Sequence, residues 1–353
     1  MQPEADHAMT LPLIPYPSTS AALEQPMLRQ LGPNLYLLMF RLMKLVPAKF
    51  IIDQALARGK LPPGGLVMET SSGTFALGLA IVCCERGLPF VIFSDPIVDR
   101  GLRRQLELLG GEVCIIEQPA AVGGFQQARL DALDARLAAA PGAFWSRQYS
   151  NPDNARAYAE PADQLRAALG DRLTLVGTVG SGGSTGGMAA RLRATGAACR
   201  LVGVDTFHSV LFGQPDGPRL LRGLGNSLLP PNVDHAAYDE IHWVSAEAGF
   251  NATRHLMQAE AVFAGPTTGA AHLVARWHAA AHPDETVVFV GADEGHRYLA
   301  TVYDRDWLAA AGLRPDAPLP AQPVAAPRPA AAGGDWACFA WNRRSLREVA
   351  DPA

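Results

Sequence analysis

Along the chain, short solid apolar runs alternate with stretches in which apolar residues recur every three or four positions. The runs Leu35–Phe40, Gly65–Met68, Phe90–Phe93, Val113–Ile116, Leu173–Val179, Arg200–Val204 and Thr286–Val290 predict buried strands. The periodic stretches predict helices over Pro47–Arg58, Thr74–Arg86, Val98–Leu109, Gly124–Ala139, Gly187–Ala194, Glu247–Glu260 and Gly269–Ala281. Pro47 suits a first helical turn, and Gly59, Gly87 and Gly110 stand where helices should stop. Strands separated by helices imply right-handed crossovers and mostly parallel sheets. Two such sets predict two three-layer α/β lobes with a cleft between them. The expected organisation is an arm over 1–30, a first lobe over 31–150 and a second over 151–313. A Pro/Ala-rich linker and tail over 314–353 completes it. Trp336, Phe339 and Trp341 are expected to dock that tail onto the body or a partner.

Composition narrows the function. Hydrophobic residues make up 48% of the 353 positions and charged residues 18%, enough to fill a core. A net charge of -4 and a pI near 6.1 give no electrostatic footprint for nucleic acid. The most apolar long stretch, Leu35–Ile52, is broken by Arg41, Lys44 and Lys49, which predicts no membrane span. The first basic residue is Arg29, so no secretory signal is expected. Cys83, Cys84, Cys114, Cys199 and Cys338 are odd in number and match no metal spacing; buried free thiols in a reducing, cytoplasmic setting are the expectation. Only Lys44, Lys49 and Lys60 are available for chemistry that needs a lysine amine.

Three segments carry chemistry. Val179-Gly-Ser-Gly-Gly-Ser-Thr-Gly-Gly187 follows a predicted strand and opens a predicted helix. Converging N–H groups and hydroxyls at a positive helix end make a cradle for a phosphate monoester, although a plain flexible turn has the same composition. Glu69-Thr-Ser-Ser-Gly-Thr74 occupies a similar junction and suits a carboxylate or an ordinary N-cap. Lys44 stands among Leu42, Met43, Leu45 and Val46. Desolvation there lowers the amine pKa and favours a Schiff base; a lysine reaching for the surface is the bland alternative. Together, a lysine anchor, a phosphate cradle and a carboxylate loop are what an amino-acid enzyme using pyridoxal 5'-phosphate requires.

From about Leu31 to Leu308 the chain resembles the cysteine synthase/cystathionine β-synthase family of fold type II pyridoxal-phosphate enzymes. Met43–Ile52 resembles a lysine-bearing segment with Lys44 in the Schiff-base position. Ser71-Ser72-Gly73-Thr74 falls on the Thr-Ser-Gly-Asn substrate loop, and Gly180-Ser181-Gly182-Gly183-Ser184 on the Gly-Thr-Gly-Gly-Thr phosphate cup. Gln148-Tyr149, Gly123 through Arg129, Gly223-Leu224-Gly225 and Arg297-Tyr298-Leu299 also fall in register. The resemblance implies a tryptophan synthase β-like fold, with Lys44, Thr74, Gly180 to Ser184 and Asp293 on the cofactor. It implies substrate contacts from Ser71, Ser72, Gly73, Arg129, Gln148, Tyr149 and Gly223, no metal, and a homodimer. The likeness is strongest to a siderophore-biosynthesis subgroup. That subgroup joins O-phospho-L-serine to L-glutamate through an aminoacrylate on the way to 2,3-diaminopropionate. The family's Asn-Pro-Gly-Gly-Ser stretch before the lysine is deleted here, Asp-Arg after it is Leu45-Val46, and the loop asparagine is Thr74. Sulfide addition, β-elimination and a non-catalytic binding role stand as alternatives.

Overall fold

The computed structural model describes residues 15–350. Positions 1–14 of the expected arm and 351–353 of the expected tail lie outside the described residues. The strands are β1 (Met27–Gln30), β2 (Leu35–Met39), β3 (Val67–Thr70), β4 (Phe90–Ser94), β5 (Glu112–Ile115), β6 (Phe144–Trp145), β7 (Arg172–Thr178), β8 (Ala198–Thr206), β9 (Glu240–Val244), β10 (Val287–Gly291), β11 (Val324–Ala325) and β12 (Trp336–Ala340). The helices are α1 (Thr19–Leu23), α2 (Leu45–Ala57), α3 (Thr74–Arg86), α4 (Arg100–Leu108), α5 (Gly124–Ala139), α6 (Asp153–Arg156), α7 (Ala159–Leu169), α8 (Ser184–Ala194), α9 (Ala246–Glu260), α10 (Pro266–Ala281), α11 (Arg305–Ala310) and α12 (Leu346–Ala350).

The α/β class and the mostly parallel sheets are as the apolar pattern implies. One sheet is small and all-parallel, ordered β5-β4-β3-β6. The other has eight strands, ordered β1-β2-β10-β7-β8-β9-β12-β11, with β2 to β9 parallel, β1 antiparallel to β2, and β12 antiparallel to β9 but parallel to β11. The lobes are not contiguous in sequence, which corrects the expected division at residue 150. β2 precedes the whole small sheet yet pairs with β10, Leu35 opposite Val287 through Met39 opposite Gly291. Its side chains are nearly all buried, and a strand buried on both faces needs the middle of a large sheet.

The tail is likewise no loose linker. β12 adds to the edge of β9, with Trp336 opposite Val244 and Ala340 opposite Glu240. Its Pro/Ala-rich approach hid a five-residue strand, and β9 itself was missed because Glu-Ile-His-Trp-Val lacks a solid apolar run. Trp336 is fully buried and donates Nε1–H to His242 Nδ1 at 2.9 Å. Trp341 packs edge-on against Phe212 at 5.2 Å, so the tail docks onto the body as expected. Trp336→Phe removes that donor and leaves a buried ring nitrogen unpaired. Urea unfolding should register a loss of about 1–3 kcal/mol.

All five cysteines are unpaired. Only Cys83 and Cys199 are buried; Cys84 is exposed, and Cys114 and Cys338 are intermediate, which corrects the expectation of uniformly buried thiols. Their positions follow strand and helix faces rather than apolar content alone. Among the described residues no helix is long and apolar enough to cross a membrane, and no cluster of His, Cys, Asp or Glu is placed to hold a metal.

Candidate active site

The candidate residues gather where the parallel strands of both sheets end, the usual place for a site in open α/β sheets. Lys44 lies five residues beyond β2 and occupies the position just before α2. The shortened segment before it is laid along the end of β10: Phe40 N–H donates to Gly291 O at 2.9 Å and Met43 N–H to Ala292 O at 2.8 Å. Leu42 bridges Asp293. The deletion before the lysine therefore leaves a tight turn rather than a displaced side chain. Gly78 lets α3 close on the same point, because a Cβ there would stand 2.7 Å from Leu45 Cα.

The Lys44 side chain is half-buried, and its amine donates to Ser181 Oγ at 3.3 Å. Burial brings its pKa down from the ordinary lysine value to about 8. Lys49 points elsewhere, pairing with Glu24 at 3.0 Å and Asp53 at 3.9 Å.

Ser181 belongs to the glycine–serine cup after β7. Gly182 has φ +81, and a Cβ on it would meet Asn232 O at 2.6 Å. A Cβ on Gly183 would collide with the Asn154 side-chain amide. Glycine is thus required by both conformation and contact. α8 begins at Ser184, three residues earlier than predicted, because the cup itself forms the helix's first turn. No side chain caps it, so its first N–H groups are left for an anion. Ser181, Ser184 and Thr185 are all buried there.

The substrate-loop residues follow β3. Their anchor is Glu69, which is fully buried and accepts from Thr70 N–H at 2.7 Å, Trp145 Nε1–H at 3.2 Å, Ser146 Oγ–H at 2.6 Å and Gln148 N–H at 3.0 Å. Burial pushes its pKa up and the four donors pull it back, leaving it raised. Gln148 also donates Nε2–H to Thr70 O at 3.0 Å, so part of its amide is committed to holding the loop. Ser71 is buried, and its hydroxyl accepts from Gly73 N–H at 3.3 Å. Ser72 Oγ receives Ser94 Oγ–H at 3.0 Å and an Arg129 Nη1–H. Arg129, buried on α5, also pairs with Asp95 at 2.8 Å. Tyr149 lies near Arg129, Glu69 and Asp95, and burial raises its phenol pKa. Thr74 heads α3 and its hydroxyl makes no hydrogen bond among the described residues. Gly223, φ +89, sets its carbonyl 3.3 Å from where a Cβ of Gly180 would stand.

Asp293 is buried and accepts a hydrogen bond from Tyr298 Oη at 2.7 Å. Burial raises its carboxyl to about 6. These groups form one connected set. Asn154 Nδ2 reaches Gln148 O and stands 3.4 Å from Ser181 Oγ, linking substrate loop, cup and lysine. Sequence reasoning missed Asn154, Asp95 and the anchoring role of Glu69. Asp95, directly after β4, was findable from its place at a parallel strand end. Asn154 carried no local signal.

Two parallel-rich lobes, a desolvated lysine and a glycine–serine cup at an uncapped helix start define an α/β enzyme of the pyridoxal-phosphate fold type II class. The chain belongs to the pyridoxal-phosphate-dependent enzyme family, whose model matches residues 36–293. It is 35% identical over 276 residues to N-(2-amino-2-carboxyethyl)-L-glutamate synthase of Ralstonia nicotianae, covering 74% of this chain and 79% of that one. It is 34% identical over 287 residues to the enzyme of the same name from Cupriavidus metallidurans, covering 79% and 84%. Among solved structures it is similar in fold to O-acetylserine sulfhydrylase isoform 3 of Entamoeba histolytica. The TM-score is 0.76, with 22% identity, covering 83% of this chain and 93% of that one. An O-ureido-L-serine synthase matches with TM-score 0.74 and 24% identity, covering 84% and 100%. The protein is a pyridoxal-phosphate-dependent enzyme, and pyridoxal 5'-phosphate is its cofactor.

Proposed function

We propose that the enzyme carries out β-replacement on O-phospho-L-serine or a related O-activated L-serine. The Cβ–O bond is exchanged for a bond to an amine such as L-glutamate, in siderophore or other 2,3-diaminopropionate biosynthesis. The observation that carries this reading is the half-buried Lys44 amine at Ser181 of the cup. The names of the two synthases similar to this chain support the choice of amine.

The residues fit the cofactor: a glycine floor and an uncapped helix start for its phosphate, a neutral-leaning amine for its aldehyde, and a buried carboxylate for its ring nitrogen. When bound, pyridoxal phosphate supplies an electron sink that acidifies the Cα proton of the amino acid and loosens its β substituent. Gly180, Ser181, Gly182, Gly183 and Ser184 hold the phosphate through N–H and hydroxyl donors. Lys44 would carry the cofactor, and its Nζ would be the base that takes the Cα proton. Asp293, held by Tyr298, would hold a proton at the ring nitrogen, and Thr74, at the head of α3, would be among the residues that hold the cofactor. Ser71, Ser72, Gly73, Gln148 and Tyr149 receive the substrate carboxylate. Gly223 presents bare backbone beside it. Arg129, tied to Ser72 and Asp95, steers the leaving group. Closure of the two lobes keeps water from the reactive carbon.

The reading includes a homodimer acting on small amino acids in the cytoplasm, in keeping with five unpaired thiols. Neither nucleic acid nor membrane is a partner; the acidic net charge of -4 supports the former. The test is product identification by mass spectrometry. With O-phospho-L-serine and L-glutamate, the expected products are inorganic phosphate and an N-linked glutamate adduct of the three-carbon unit. Pyruvate and ammonia alone would establish β-elimination instead, and cysteine formed from sulfide with no glutamate adduct would establish a cysteine synthase.

A further inference from the structure

The segment that carries Asp293 is pinned through its backbone. Gly265 N–H donates to Asp293 O at 2.9 Å, and Gly295 N–H to Phe263 O at 3.2 Å. A Cβ on Gly265 would collide with Asp293 Oδ1 and stand 2.8 Å from the Tyr298 ring, so glycine leaves the space that these two side chains share. The backbone is thus settled locally. The direction of the carboxylate is left to Tyr298, whose Oη–H donates to Asp293 Oδ2 at 2.7 Å.

Tyr298 has a neighbour that reaches the other lobe. Arg297 lies in the same short turn after β10, Gly295–Tyr298, with its guanidinium carbon 5.9 Å from the centre of the Tyr298 ring. Its Nε and Nη2 donate to Asp99 Oδ2 at 3.1 and 2.6 Å. Asp99 stands before α4, just past β4 of the small sheet, and its Oδ1 accepts from Leu102 N–H at 2.7 Å. One carboxylate therefore caps a helix of the small lobe and grips an arginine of the large one. The side chains are 20% and 39% exposed, too open for the pair to add much stability. What the pair does is decided by its place, one residue from the tyrosine that directs Asp293.

We propose that Arg297 is a positioning residue: gripped by Asp99 across the cleft, it fixes Tyr298 and thereby aims the Asp293 carboxylate. Docking of the small lobe is in this way transmitted to the buried acid. The proposal rests on the reading of Asp293 as the residue at the cofactor's ring nitrogen. Charge acts in the same sense as geometry. Burial raises the Asp293 carboxyl, while the Tyr298 hydrogen bond and the Arg297 charge lower it, so the clasp favours the ionised form. The other polar groups nearby are engaged elsewhere, Glu294 with Arg41 at 3.4 Å and the Tyr303 hydroxyl with Ala264 O at 2.7 Å.

The test reads the holoenzyme by the absorbance of its bound cofactor and by the rate at which O-phospho-L-serine changes that absorbance. Asp293→Asn sets the reference signature. Arg297→Met should move the absorbance in the same direction and lower the maximal rate roughly tenfold, the scale of one weakened charge-assisted hydrogen bond, with the half-saturating donor concentration within about twofold. Arg297→Lys should recover part of both. Asp99→Asn keeps an oxygen to cap α4 and should shift both readouts the same way by a smaller amount. In a Tyr298→Phe background Arg297→Met should add little, because the arginine then has nothing to act through. An Asp99→Asn shift that is absent or opposite in sign, or an undiminished Arg297→Met effect beside Tyr298→Phe, would overturn the proposal. If Asp293→Asn leaves both readouts as in the parent, the reading of Asp293 falls and takes this proposal with it. If Asp293→Asn alters them and Arg297→Met does not, only this proposal falls.

Discussion

Lys44→Ala should abolish covalent capture of pyridoxal phosphate, and with it turnover, by about a thousandfold or more, the scale of losing both anchor and general base. Borohydride reduction of the parent enzyme should fix the cofactor on the peptide containing Lys44, and the variant should show no adduct. The alternative anchor, Lys49, is engaged by Glu24 on the other face of α2, so Lys49→Ala should keep the adduct. An adduct on Lys49 or Lys60 would refute the assignment. The pH dependence has a definite sign. An amine with a pKa of about 8 is roughly half neutral at pH 8, whereas one at the ordinary value of 10.5 is well under 1% neutral. Capture of added cofactor by the apo-enzyme should therefore rise through pH 8 and level off above it. A rise that begins only near pH 10 would show an amine still in water.

Glu69→Leu should cost roughly 3–5 kcal/mol, because it strands several buried donors at once and each unsatisfied group costs about 1–3 kcal/mol. Those donors are the Thr70 and Gln148 N–H groups, the Trp145 indole and the Ser146 hydroxyl. Three of these bonds, from Trp145, Ser146 and Gln148, tie β3 to β6 and Gln148 at the level of the substrate loop. The variant should therefore also lose affinity for O-phospho-L-serine before it loses the absorbance of bound cofactor, whose cup stands on the other sheet. Urea denaturation and a substrate titration check the two effects. A stability within about 1 kcal/mol of the parent would mean that water replaces the carboxylate and that Glu69 does not organise the loop.

The helices most legible in the sequence were those with a local stop and a long period. α3 and α5 have the predicted bounds, and Gly87 ends α3 in the left-handed conformation that glycine favours. α2 begins at Leu45 rather than Pro47, since the preceding turn is fixed by β10, over two hundred residues away. α7 was not seen, because Pro161 and a mixed pattern mask its period. Of the site, the cup, the Ser71–Thr74 loop and Lys44 could be read because each is a contiguous segment whose residue types suit one chemical task. Asn154 could not, because nothing local distinguishes it from any polar residue near a helix start.

The sequence by itself determined the alternation of strands and helices, the parallel class of the sheets and the three segments that carry chemistry, since all of these depend on periodicity and composition within a few residues. Only the tertiary structure decided that β2 crosses into the large sheet, that the tail closes its edge as a strand, and that Lys44 rather than Lys49 reaches the cup. Strand neighbours and the direction of a side chain are set by burial and by hydrogen bonds between distant segments. Their free energy exists only once the segments have met.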